Sequence, residues 1–210
     1  MMPESIKHVV LGDHIWNSAI DEASGKLYLD VRKGNETIEL VQLDLSSMIY
    51  EEVKVEHSRW TQLLGAADGK LYFVEYIDHH NPNTQKHSAL DWSSKEMKAV
   101  ETMSSLSNSA LHPAIYEHGS DYHKTVAKFL SLDLPLSCEY LEWKEKIIIS
   151  YYLRSDNEFE RHLLLLKNEE KEWRLCQDSR MKGFSPGSFF VFKDYLIFIK
   201  DQNEVCVYTE

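Results

Sequence analysis

The chain has 210 residues, 43% of them hydrophobic and 11% aromatic, and its 34 acidic and 23 basic side chains give a net charge of −11. Such an apolar fraction excludes extensive disorder and suffices for one substantial core, so a single domain over residues 1–210 is expected. The acidic surface repels phosphate backbones and anionic head groups, and no basic patch offsets it, which excludes nucleic acid and membrane as expected partners.

The opening residues, MMPESIKHVV, lack a basic region leading into an apolar run, and no apolar stretch reaches the roughly 20 residues of a membrane helix. The cytoplasm is therefore the expected compartment. Further on, Trp16 stands nine residues before Gly25, where GKLYL begins, and Trp60 stands nine residues before Gly69, where GKLYF begins. After Gly25 come KLYLDVR, ETIELVQLDL and IYEEVKV, separated by KGN and SSM. Aromatic and β-branched runs divided by turn formers are the pattern of consecutive antiparallel strands.

After Gly69 the order repeats as KLYFVEYI, KHSALDW and MKAVE, with one longer loop, DHHNPNTQ. Asp44 and Asp91 close corresponding strands, each followed by one apolar residue and two serines. GAADGK (65–70) has three residues between its glycines instead of the four of a phosphate loop, and Leu71 where a hydroxyl would bind magnesium. It reads as an Asp-Gly turn between strands.

Residues 103–137 break the period and are expected to form an irregular or degenerate unit. AIYE reads as a strand, and KTVAKFLSL as either a strand or a short helix capped by Asp121. Beyond it, LEWKEKIIISYYL (141–153) and FVFKDYLIFIKD (190–201) form a second pair, offset by 49 residues, in which Trp143 and Phe192 each precede a lysine and an acid.

The central strands are nearly continuous in apolar residues, which means both faces are covered. Small sheets stacked face to face around an axis achieve this, and the 44- to 49-residue interval falls within the range of propeller repeats. The expected fold is all-β: a small or partial β-propeller of about four to five antiparallel four-stranded blades. KHVVL (7–11) is expected to complete the last blade beside EVCVYTE.

HPAIYEHGSDYHKTVAKFL, CEYLEWKEKIIISYYL and GSFFVFKDYLIFIKD together resemble an uncharacterised bacterial family of Bacteroides type with a small or partial propeller-like fold. The resemblance spans most of the chain. It implies a fold and transfers no catalytic residue.

GFSPG (183–187) matches a nucleophile elbow formally, but Pro186 follows Ser185, a strand follows the loop, and no histidine lies downstream. It reads as a turn between blades. Cys138, Cys176 and Cys206 read as buried, reduced thiols. Histidines gather in two loops, His79, His80 and His87 in one, His112, His118 and His123 in the other, with Asp78 and Asp121 nearby. The expected ligand-binding residues are His79, His80, His118, Asp121 and His123, since ligands favour loops. Their spacing fits no standard metal motif, so no metal, cofactor or catalytic residue is expected.

The expected function is a non-catalytic binding or interaction module that holds another protein or a small ligand, with a homodimer as a way of covering open edges. The alternative is a metal-assisted hydrolase or lyase using the loop histidines and acids.

Overall fold

Runs of apolar and β-branched residues divided by short turns satisfy their backbone polar groups by pairing with the next run along the chain. The computed structural model, which describes residues 4–33, 37–55, 60–78, 81, 83–101, 109–168 and 170–209, is all-β in this way, with one helix among the described residues. After β1 (Ile6–Val10), the strands β2 (His14–Asp21), β3 (Lys26–Lys33), β4 (Thr37–Asp44) and β5 (Tyr50–Val55) form one sheet in chain order. A second sheet repeats the arrangement with β6 (Thr61–Ala67), β7 (Lys70–Tyr76), β8 (Gln85–Asp91) and β9 (Met97–Ala99).

The third sheet has five strands, β10 (Ala114–Tyr116), β11 (Cys138–Trp143), β12 (Lys146–Ser155), β13 (Glu158–Lys167) and β14 (Glu170–Met181), and the helix α1 (Asp121–Leu130) lies between β10 and β11 in sequence. The fourth contains β15 (Phe189–Phe192), β16 (Tyr195–Lys200) and β17 (Glu204–Thr209), and β1 pairs along β17 as its outer strand. No helix among the described residues is long and apolar enough to cross a membrane.

The chain divides into two compact units, Val9–Ser109, and Met1–His8 with Ala110–Glu210. In the Val9–Ser109 unit, Tyr28, Ile38 and Leu40 of one sheet pack with Leu63, Leu71, Phe73 and Leu90 of the other, and Trp92 stacks edge-on against Tyr28 at 5.3 Å. In the other unit, Ile148, Leu163 and Leu165 pack with Phe189, Leu196 and Phe198, with Ile6 of β1 in the same core.

The two halves of the first unit share their turn chemistry. Asp44 Oδ1 accepts the amides of Ser46 and Ser47 at 3.0 and 2.9 Å, and Asp91 Oδ1 accepts those of Ser93 and Ser94 at 3.0 Å each. Each turn then places one residue, Met48 or Lys95, at positive φ, 59° and 60°. GAADGK forms a two-residue turn with Asp68 and Gly69 at φ 51° and 72°, as an Asp-Gly hairpin requires.

The matched tryptophans, by contrast, are not structural equivalents. Four residues separate Asp21 from its partner Lys26, but only two separate Ala67 from Lys70. The longer first turn shifts the register, so that Trp16 is the residue skipped by a bulge in β2, whereas β6 skips Leu64 and Trp60 precedes the strand.

Residues 103–137 do not make a separate unit where they are described: β10 adds a fifth strand to the third sheet, pairing Ala114 with Tyr140. KTVAKFLSL contributes to α1, whose cap is Ser120 and not Asp121: Ser120 Oγ accepts the His123 amide at 3.2 Å, and Asp121 occupies the first turn. An acid in that turn and Lys128 in the last complement the helix dipole. Ser131 closes the helix at φ 54°, and the Leu132 amide reaches back to the Ala127 carbonyl at 3.0 Å.

The helix explains why β12 and β13 are apolar on both faces. His123, Val126, Ala127 and Leu130 fall on one side of α1, and Val126 packs with Ile149, Tyr151, Leu164 and Leu166, the residues alternating with those that face the opposite sheet. The second cover is thus a helix, where stacked sheets alone were expected.

Candidate binding site

The loop histidines separate into different surroundings. His79 and His80 lie outside the described residues. His123 is buried in the first turn of α1; its Nε2 faces the Leu136 carbonyl at 2.9 Å and its Nδ1 accepts the Gly119 amide at 3.4 Å. Both ring nitrogens are thus spent on joining the helix start to the following loop, and Nε2 carries the proton. His118 is exposed and meets His123 edge-on at 4.9 Å, while its own amide donates to Ser137 Oγ at 3.0 Å. Asp121 is exposed, with Lys124 Nζ 3.6 Å from its carboxylate. His112 lies against Phe190, and His87 sits within β8 opposite Val74.

GFSPG connects β14 to β15 and runs into a strand. Its Ser185 amide donates to Tyr152 Oη at 3.0 Å, and Phe184 packs edge-on against Tyr152. Behind this connection, Arg161 Nε donates to Asp178 Oδ2 at 2.8 Å, both side chains being buried. Burial pushes the Asp178 carboxyl up, against the pull of the Arg161 guanidinium. Glu139, also buried, accepts the Gly187 amide at 2.6 Å and the Ser188 amide at 3.3 Å. These groups satisfy the backbone of the connection and pin it to the sheet.

Cys138 and Cys206 are buried, and burial pushes their thiols up to about 11 and about 12. Cys176, expected to be buried, is exposed, because alternation along β14 places Trp173 and Leu175 in the core and turns their neighbours outward. Across from it, burial and the Arg174 cation hold the pKa of His162 below the usual imidazole value.

The surface that sequence reasoning missed lies in the Val9–Ser109 unit. Trp16 is 61% exposed, an unusual position for the largest apolar side chain. Its ring lies 4.9 Å from the Arg32 guanidinium carbon and 6.2 Å from the exposed His14 ring. Arg32 is fixed: Nε and Nη2 donate to the two oxygens of buried Asp30 at 3.1 and 2.8 Å, and Nη2 also donates to the Thr61 carbonyl at 2.6 Å. Asn17 Nδ2 donates to the Leu63 carbonyl at 2.7 Å, holding the bulged strand against β6. The indole therefore rests on a locked cation at a locked bulge, with more than half of its surface in solvent. The pattern HIWNS carried the signal: a buried Ile15 beside Trp16 turns the indole outward on a strand.

Compared with protein-family models and with curated proteins, the chain matches none.

Proposed function

We propose that the protein is a non-catalytic binding module of β-propeller type, acting in the cytoplasm, which holds a protein partner through the open face of Trp16. The observation that carries this reading is the Trp16–Arg32–Asp30 stack. An aromatic ring held rigid by its support loses little conformational freedom on binding, and such anchors supply most of the energy of protein interfaces. Asp30 neutralises Arg32, so the ring offers its quadrupole to a cation from outside. The net charge of −11 steers basic chains toward it, which makes a lysine- or arginine-rich segment the partner of choice. For the propeller assignment, the support is a set of four antiparallel sheets of four or five strands, built mostly from strands consecutive in the chain, with the first strand completing the last sheet.

The metal-assisted alternative draws no support from His123, whose ring nitrogens are engaged within the chain. The proposal is tested by probing an array of Lys- and Arg-containing peptides with the wild-type chain and with Trp16→Ala. The reading requires peptides retained by the wild type and released by the variant, with retention falling as salt rises. Equal retention by both, or none by the wild type, overturns it.

A further inference from the structure

β13 and β14 run antiparallel with His162 opposite Cys176. Glu160 lies two residues before His162 on the same strand, and strand alternation gives these two side chains one face. A bulge then adjusts the register: Arg161 pairs with Asp178 and His162 with Cys176, which leaves Gln177 as the extra residue. Gln177 is not wasted, since its Nε2 donates to the Ser188 and Ile199 carbonyls at 2.8 Å each. A carboxylate, an imidazole and a thiol are thereby collected, their ligand atoms all within 4.8 Å of one another.

We propose that Glu160, His162 and Cys176 bind a thiophilic divalent cation of the zinc class. Bonds of about 2.0–2.3 Å in a tetrahedral site set neighbouring donors roughly 3.5 Å apart. His162 Nε2 and Glu160 Oε2 already stand at 3.3 Å, and Cys176 offers its sulfur within 4.8 Å of both, so a rotation of the exposed Cys176 side chain completes the set. A mixed N, S and O donor set selects zinc over magnesium or calcium, which take oxygen alone. On binding, the thiol proton passes to solvent, and the thiolate and carboxylate together balance the charge of the ion. Three protein donors leave the fourth position to water.

Tyr151 stacks on the His162 ring at 5.6 Å and fixes its plane. Arg174 Nη2 stands 3.5 Å from His162 Nδ1. That contact requires the proton on Nε2, so coordination through Nε2 moves the proton to Nδ1 and turns the exposed Arg174 outward. The site is reached from solvent through Cys176 and does not depend on the Trp16 reading.

The test uses the full chain, stripped with a chelator and titrated with cobalt(II). One equivalent should develop a thiolate-to-cobalt absorption with intense visible bands, which zinc(II) then abolishes. Cys176→Ser should remove the thiolate absorption, and Cys176→Ser and Glu160→Gln should each weaken zinc binding by about 100-fold or more, above the loss typical of an outer-shell partner. Zinc should also slow alkylation of Cys176. Both of these variants change partly or fully exposed residues, so the test stands even if buried His162→Gln fails to fold. Absence of the cobalt signal in the wild type, or its persistence in Cys176→Ser, overturns the site.

Discussion

Asp21 and Gly69 are joined across the two sheets of the Val9–Ser109 unit: the Gly69 amide donates to Asp21 Oδ2 at 2.9 Å, while Oδ1 accepts the Ala23 amide at 3.1 Å. Burial works to raise the Asp21 carboxyl, but the hydrogen bonds from Gly69, Ser24 and Ala23 prevail and hold it below its ordinary value. Glu139 joins Gly187 in the other unit across the same 48-residue interval. Removing either carboxylate leaves amide donors without an acceptor, at a cost of about 1–3 kcal/mol. Asp21→Ala and Glu139→Ala should each lower the urea midpoint accordingly; midpoints equal to the wild type would show that the bonds contribute nothing.

Deleting residues 1–10 should lower the melting temperature and promote aggregation. It removes Ile6, 5% exposed, from the core shared by the third and fourth sheets and leaves β17 with an unpaired edge. Light scattering on heating reads both effects, and a truncated chain that melts like the intact one contradicts the pairing.

The Asp44 turn makes part of the stability depend on acid. The Ser46 hydroxyl and the Ser47 amide hold the Asp44 carboxyl down, from 3.8 to about 2. Since the folded pKa lies below the unfolded one, the stabilisation is complete above about pH 4 and drains away as pH falls through about 2. Melting temperatures of wild type and Asp44→Ala should differ near about pH 6 and converge near about pH 2. A gap of constant size across that range would assign the effect to the turn backbone.

Two tryptophans should respond oppositely to truncation. Trp92 is 5% exposed, stacked on Tyr28, and its Nε1 donates to Glu51 at 3.1 Å, so Trp92→Ala should cost about 3–5 kcal/mol. Trp16→Ala should change stability by no more than about 0.5 kcal/mol, because little of the indole is packed. Chemical denaturation distinguishes the two, and a large loss at Trp16 would make it a structural residue and weaken its claim as a binding anchor.

Strand runs, the Asp-Gly turn and the paired Asp-x-Ser-Ser turns were legible in the sequence because each is governed by residues within a few positions of one another. The terminal pairing was legible too, since the last run lacked an outer neighbour. What misled was spacing: equal distances from tryptophan to glycine suggested equivalence, but a first turn longer by two residues had shifted the strand behind it. The helix stayed ambiguous because KTVAKFLSL leaves out the first turn of α1, and the capping serine lies earlier still, at Ser120. At the sites, residue type alone brought the loop histidines forward. Cys176 meets Glu160 and His162 only through cross-strand register and a bulge, and neither is written in any local spacing.

Because β1 completes the sheet of β15, β16 and β17, every other sheet of the described fold lies between it and its partner strand in the chain. Each of the two four-stranded meanders pairs strands that are neighbours in sequence, a local closure, whereas the fourth sheet must join β1 to strands that follow β14. Until β17 is made, β1 is a strand without its edge, which leaves the growing chain more open to wrong pairing than the finished one.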